Sequence, residues 1–123
     1  MSLSRDQILG SSALLREEVK VPEWGGTVLL REMSGTERDA YEASLYRDRE
    51  ASLVNARSKL AVRCICDENG SLLFGESDIA ALGEKSSRAL DRVGRVAQRL
   101  NGLSDKGLEE VVGNSKPSLG DEP

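Results

Sequence analysis

The chain has 123 residues with a formal net charge of -4, which suits one domain with a single core and disfavours the clustered cations that phosphate backbones require. Hydrophobic residues make up 38% and aromatics only 3%, so the core has to be built from Leu, Val, Ile and Ala. There is no histidine, no apolar stretch of membrane-spanning length and no basic–apolar leader, which removes the commonest general base and disfavours a membrane or export role.

Ser4 and Gln7 form a capping box. It predicts a short helix to about Leu9, and Gly10, Ser11 and Ser12 weigh against its running on to Leu15. Val19-Lys20-Val21-Pro22-Glu23-Trp24 alternates as a strand does, and Thr27-Val28-Leu29-Leu30-Arg31-Glu32-Met33 is a second β-prone run. Gly25-Gly26 between them predicts a hairpin over residues 19–33, because the tight turn needs positive φ. Pro22 cannot donate to a ladder, which makes the first strand an edge.

Ser34 and Glu37 are a second capping box, expected to start a helix over residues 35–49 with Ala40, Tyr41, Ser44 and Leu45 on one face. Residues 51–66 are the most apolar segment and read as a central helix. At about 100° per residue Leu53, Leu60 and Cys64 share one stripe, and Val54, Ala61 and Ile65 the next. So wide an apolar arc implies contact on two sides, and it or the hairpin edge is expected to join subunits.

Asp67-Glu68-Asn69-Gly70 is a turn, followed by the short apolar connector Ser71-Leu72-Leu73-Phe74. Ser77 is expected to cap a helix containing Ile79, Ala80 and Leu82, ended by Gly83. Ser86 or Ser87 caps a long helix to about Leu100, with Asn101-Gly102 as its C-cap. Ser104 caps a last short helix to Val112, and the composition from Gly113 onward predicts a disordered tail. The sum is a mainly α (α+β) fold: a single helical domain over residues 1–112 with an N-terminal β-hairpin, then a tail over 113–123.

The look-alikes of chemistry are incomplete. Cys64 and Cys66 lack two further soft ligands, and on a helix their side chains diverge by about 200°. Asp67, Asn69, Ser71 and Asp78 mimic EF-hand positions, but the glycine stands at the wrong place. Gly113-Asn114-Ser115-Lys116 is not a phosphate-binding loop. No bound zinc, calcium, nucleotide or other cofactor is expected, and no carboxylate pair stands out as catalytic.

Two features suggest partner binding instead. Arg88, Arg92, Arg95 and Arg99 make a narrow basic stripe beside the apolar face of Ala89, Leu90, Val93, Val96, Ala97 and Leu100. It reads either as a docking rim or as a solvated face. Trp24, the sole tryptophan, either packs on the local core or anchors a partner.

Several segments carry a family resemblance. They are Val19-Lys20-Val21-Pro22-Glu23-Trp24-Gly25-Gly26-Thr27-Val28, Arg31-Glu32-Met33-Ser34-Gly35-Thr36-Glu37, Ile79-Ala80-Ala81-Leu82-Gly83 and Ala97-Gln98-Arg99-Leu100-Asn101-Gly102-Leu103-Ser104. With the run from Leu60 to Gly70, this pattern over roughly residues 17–112 resembles the tail assembly chaperones of long-tailed bacteriophages and prophages. The resemblance implies a non-enzymatic, oligomeric protein of the host cytoplasm that coats the tape-measure protein, prevents its aggregation and helps recruit tail-tube subunits. It also implies absence from the finished virion. A client helix would lie in a groove built from Leu53, Leu60 and neighbouring helices, with the arginine stripe as one rim and Trp24 as an anchor. The competing readings are a small tail or connector protein retained in the virion, and a helical DNA-binding regulator using the arginine stripe. The acidic balance and the missing aromatics oppose the second of these.

Overall fold

The computed structural model describes residues 1–11, 14–47 and 50–103. Helix α1 (Arg5–Leu9) starts at the expected capping box: Ser4 Oγ accepts from Gln7 N–H, and Gln7 Oε1 accepts from Ser4 N–H. It ends at Gly10, and none of its residues is buried.

The hairpin pairs β1 (Arg16–Val21) with β2 (Gly26–Arg31), Glu17 facing Leu30 and Val19 facing Val28. The first strand begins three residues earlier than Val19, and Pro22 lies outside it. Pro22–Trp24 is instead a 3-10 turn, where proline's fixed φ and missing N–H are harmless at the first position. Gly25 closes the turn at φ 74°, a left-handed conformation that strains any residue with a Cβ. Strand β5 (Ile65–Cys66) joins the other side of β2, so the sheet order is β1-β2-β5 and β1 is an edge as expected.

Helix α2 (Gly35–Ala43) also starts on its capping box, Ser34 with Glu37. It stops six residues short of Arg49, and a small ribbon of β3 (Tyr46–Arg47) and β4 (Glu50–Ala51) follows. The expected helix over 51–66 is divided. Leu53 and Val54 sit in an exposed turn, Asn55 takes a left-handed φ of 56°, and only α3 (Ala56–Val62) is helical. The chain then leaves the helix so that Cys64 C=O accepts from Arg31 N–H and Ile65–Cys66 pairs with Leu29–Leu30. A sheet position for this apolar stretch satisfies β2's outward backbone groups, which a longer helix would leave unpaired.

Asp67 closes the next turn, its Oδ1 accepting from Asn69 and Ser71 N–H, with Gly70 at φ 86°. A 3-10 turn (Glu76–Asp78) leads into α4 (Ile79–Gly83). Ser77, expected as the cap, lies inside that turn; Asp78 Oδ2 accepts from Gly75 N–H at the turn's start, and α4 itself has no side-chain cap. Helix α5 (Ser87–Leu100) is capped by Ser86 and closed by Asn101, as expected.

One core joins these elements, with Val19, Val21 and Leu30 from the sheet, Tyr41 and Leu45 from α2 and its end, Leu60 from α3, and Ala89, Val93 and Ala97 from α5. Buried Asn101 ties its edge together: its Oδ1 accepts from Met33 N–H at 2.7 Å and its Nδ2 donates to Ala97 C=O at 2.7 Å. The architecture is α+β, with a three-stranded antiparallel sheet, and so is less helical than the single helical domain expected. The helix expected over 105–112 and the tail from Gly113 lie outside the described residues.

Candidate binding cleft

The hairpin turn places the tryptophan. Held by Pro22 and Gly25, Trp24 stands at the tip of β1 and β2 and packs partly against the core. Opposite it are Phe74, from the connector after the Asp67 turn, and Ala81 and Leu82 of α4. These residues enclose an apolar cleft of about 380 Å³ with Asp78 and Lys85 at its rim. That volume falls within the ~300–1,000 Å³ typical of sites that engulf an apolar group. A concave apolar wall with one acidic and one basic side chain suits an amphipathic segment.

Helix α5 braces the turn. Arg92 Nε donates to Glu23 Oε1 at 2.9 Å, and Arg99 Nη2 donates to Glu17 Oε2 at 2.8 Å. The hydrogen bond from Arg92 holds the Glu23 carboxyl below its ordinary range. Arg95 pairs with Asp91 one turn back at 3.0 Å, and Arg88 is exposed. The stripe is therefore divided: Arg92 and Arg99 pin the hairpin to α5, and Arg88 and Arg95 face outward.

The expected groove between Leu53 and Leu60 does not form. Leu60 is 1% exposed inside the core, whereas Leu53 is 50% exposed in the turn before α3. The two stand on different elements because the helix that would align them starts only at Ala56. Trp24 lines the cleft, but its partners Phe74, Ala81 and Leu82 were not singled out from the sequence. The one available signal was that Phe74 is the sole phenylalanine, set in a connector too short to bury it alone.

A second apolar surface lies at the N-terminus. Leu3 before α1, Ile8 and Leu9 on it and Leu15 after it are each more than half exposed, and the helix itself buries nothing. The thiols offer little chemistry: Cys64 and Cys66 are buried and unpaired, and burial pushes the Cys64 thiol up to about 12. Among the described residues no three His, Cys, Asp or Glu side chains cluster as metal ligands, and no helix is long and apolar enough to cross a membrane.

A family model described as "Phage tail assembly chaperone" matches residues 4–112. The fold is similar to that of the bacteriophage HK97 tail assembly chaperone, with a TM-score of 0.56 and 23% identity over 71% of this chain and 85% of that one. At that identity the likeness speaks for the fold alone. No curated protein matches the sequence.

Proposed function

The chain belongs to the phage tail assembly chaperone family, and from that premise we propose that it binds the tape-measure protein, keeps it from aggregating and helps recruit tail-tube subunits. It would work in the cytoplasm of the bacterial host and be absent from the finished virion. The family match over residues 4–112 carries this reading. The apolar cleft at Trp24 gives it a physical basis, since an assembly chaperone has to cover apolar client surface that would otherwise self-associate.

In this reading the client presents an amphipathic helix, as a long tape-like protein does before its tube forms. Its apolar face enters between Trp24, Phe74 and Leu82, and its charged flanks meet Asp78, Lys85 and the outward-facing Arg88 and Arg95. Leu53 remains an exposed apolar contact outside the cleft. Leu60 contributes only by holding the core.

Co-expression with the neighbouring tape-measure protein, followed by pull-down, tests the proposal. The client should be recovered with the wild-type chain and lost with Trp24→Ala of unchanged circular dichroism. Equal recovery with both would remove the cleft from the account, and no recovery with either would remove the client. Mass spectrometry of purified particles should find no copy of the chain.

A further inference from the structure

We propose that the Trp24 cleft selects and orients its client by charge. It takes a helix whose apolar residues are bracketed by one acidic and one basic residue about two turns apart, and the order of those charges sets the direction in which the helix lies. The selection rests on reading that cleft as a groove for apolar helices.

The cleft runs along α4, which lines it with Asp78, Ala81, Leu82 and Lys85. Places i, i+3, i+4 and i+7 share one helix face, so the floor is apolar and the two charges stand at its ends. At a rise of 1.5–2.0 Å per residue those ends lie about 10–14 Å apart. Both charges are left for a partner. Asp78 is partly buried, and its Oδ2 accepts from Gly75 N–H at 2.8 Å, which fixes the carboxylate without neutralising it. Lys85 is exposed. Among the described residues neither enters an ion pair, although the charges around them do: Glu76 with Arg63, Glu23 with Arg92 and Asp91 with Arg57.

A helix laid along α4 presents its own i, i+3, i+4 and i+7 places to that floor. Apolar side chains at i+3 and i+4 meet Leu82, Trp24 and Phe74, and the two flanking places meet Asp78 and Lys85. An acidic residue at i and a basic one at i+7 fit with the helix antiparallel to α4, because its first charge then meets Lys85. The reverse order fits with the helix parallel to α4. Two like charges fit neither way. Rim charges of this kind fix register and exclude wrong segments more than they add affinity. An amphipathic client offers many apolar stretches, and the charges at Asp78 and Lys85 pick among them.

Trp24 is the sole tryptophan and lines the cleft, so its emission reports occupancy. The probes are synthetic helical peptides of about 20 residues, with leucine at i+3 and i+4 and the flanking places i and i+7 varied. Titrated into the full chain, the peptide with glutamate first and lysine last should bind about fivefold tighter than one with glutamine at both places, and the gap should shrink at high salt. Lys85→Glu should cancel that gap, and a peptide with lysine at both places should restore it on this variant. The peptide with lysine first and glutamate last should bind the wild type as tightly but the other way round. A nitroxide one turn before the first charged place should therefore broaden the amides of Glu84 and Ser86 with the first peptide, and those of Gly75 and Ser77 with the reversed one. Equal binding of charged and glutamine peptides, no rescue by the lysine peptide, or one direction for both orders would overturn the selection and leave the groove standing. If no peptide moves Trp24 emission, the groove falls and the selection with it. Emission that moves when the chain alone is diluted would give the cleft to a second copy and overturn both.

Discussion

Glu37 shows how one side chain can serve two elements. It completes the capping box of α2 and receives two hydrogen bonds from the guanidinium of Arg31, at 3.0 and 2.7 Å. The Arg31 hydrogen bond lowers its pKa below the ordinary 4.5. A lowered folded-state value means the stabilisation is complete above the unfolded pKa and is lost as pH falls through the folded one. Glu37→Gln should therefore cost about 1–3 kcal/mol at neutral pH, and the gap to wild type in denaturant melts should close below about pH 4.5. A gap constant from pH 7 to pH 3 would contradict this. The buried thiols give a second residue-scale expectation. With Cys64 pushed up to about 12 and Cys66 also raised by burial, a thiol reagent at pH 8 should label neither in the native protein and both in denaturant. Rapid native labelling would place them at the surface.

Sequence reading succeeded or failed element by element. The starts of α1, α2 and α5 were legible because their signals are local: Ser4 with Gln7, Ser34 with Glu37, and Ser86 just before the apolar face. The hairpin was legible through Gly25, whose positive φ the turn demands. Residues 51–66 misled because periodicity in a short apolar run does not separate a buried helix from a buried strand. What decides there is tertiary: Leu29 and Leu30 need partners, and Ile65 and Cys66 supply them. The cleft was half legible, since Trp24 stood out while Phe74 and Leu82 come to it only through the turn at Asp67 and the packing of α4. The arginine stripe was visible as a pattern, but its division depends on Glu17 and Glu23 lying across from α5. This sets the element-scale test. Arg88→Glu with Arg95→Glu leaves the hairpin brace intact, and should weaken client capture most at low salt without changing circular dichroism. Capture unchanged across a salt series would make those two arginines a solvated face.

At the scale of the whole molecule, a small α+β core holds two unlike apolar surfaces. One is concave and set by Trp24, Phe74 and Leu82; the other is a projecting arm carrying Leu3, Ile8 and Leu9. The core itself is built mainly from aliphatic side chains of the sheet and of α3, α4 and α5, with Tyr41 from α2; Leu82 belongs to both core and cleft, and α1 contributes nothing to it. The most direct measurement is aggregation of purified tape-measure protein diluted from denaturant, followed by light scattering with and without the chain. The account predicts that stoichiometric wild-type chain suppresses the scattering and that Trp24→Ala largely loses the effect. Scattering that rises equally in the presence and absence of wild-type chain would contradict it.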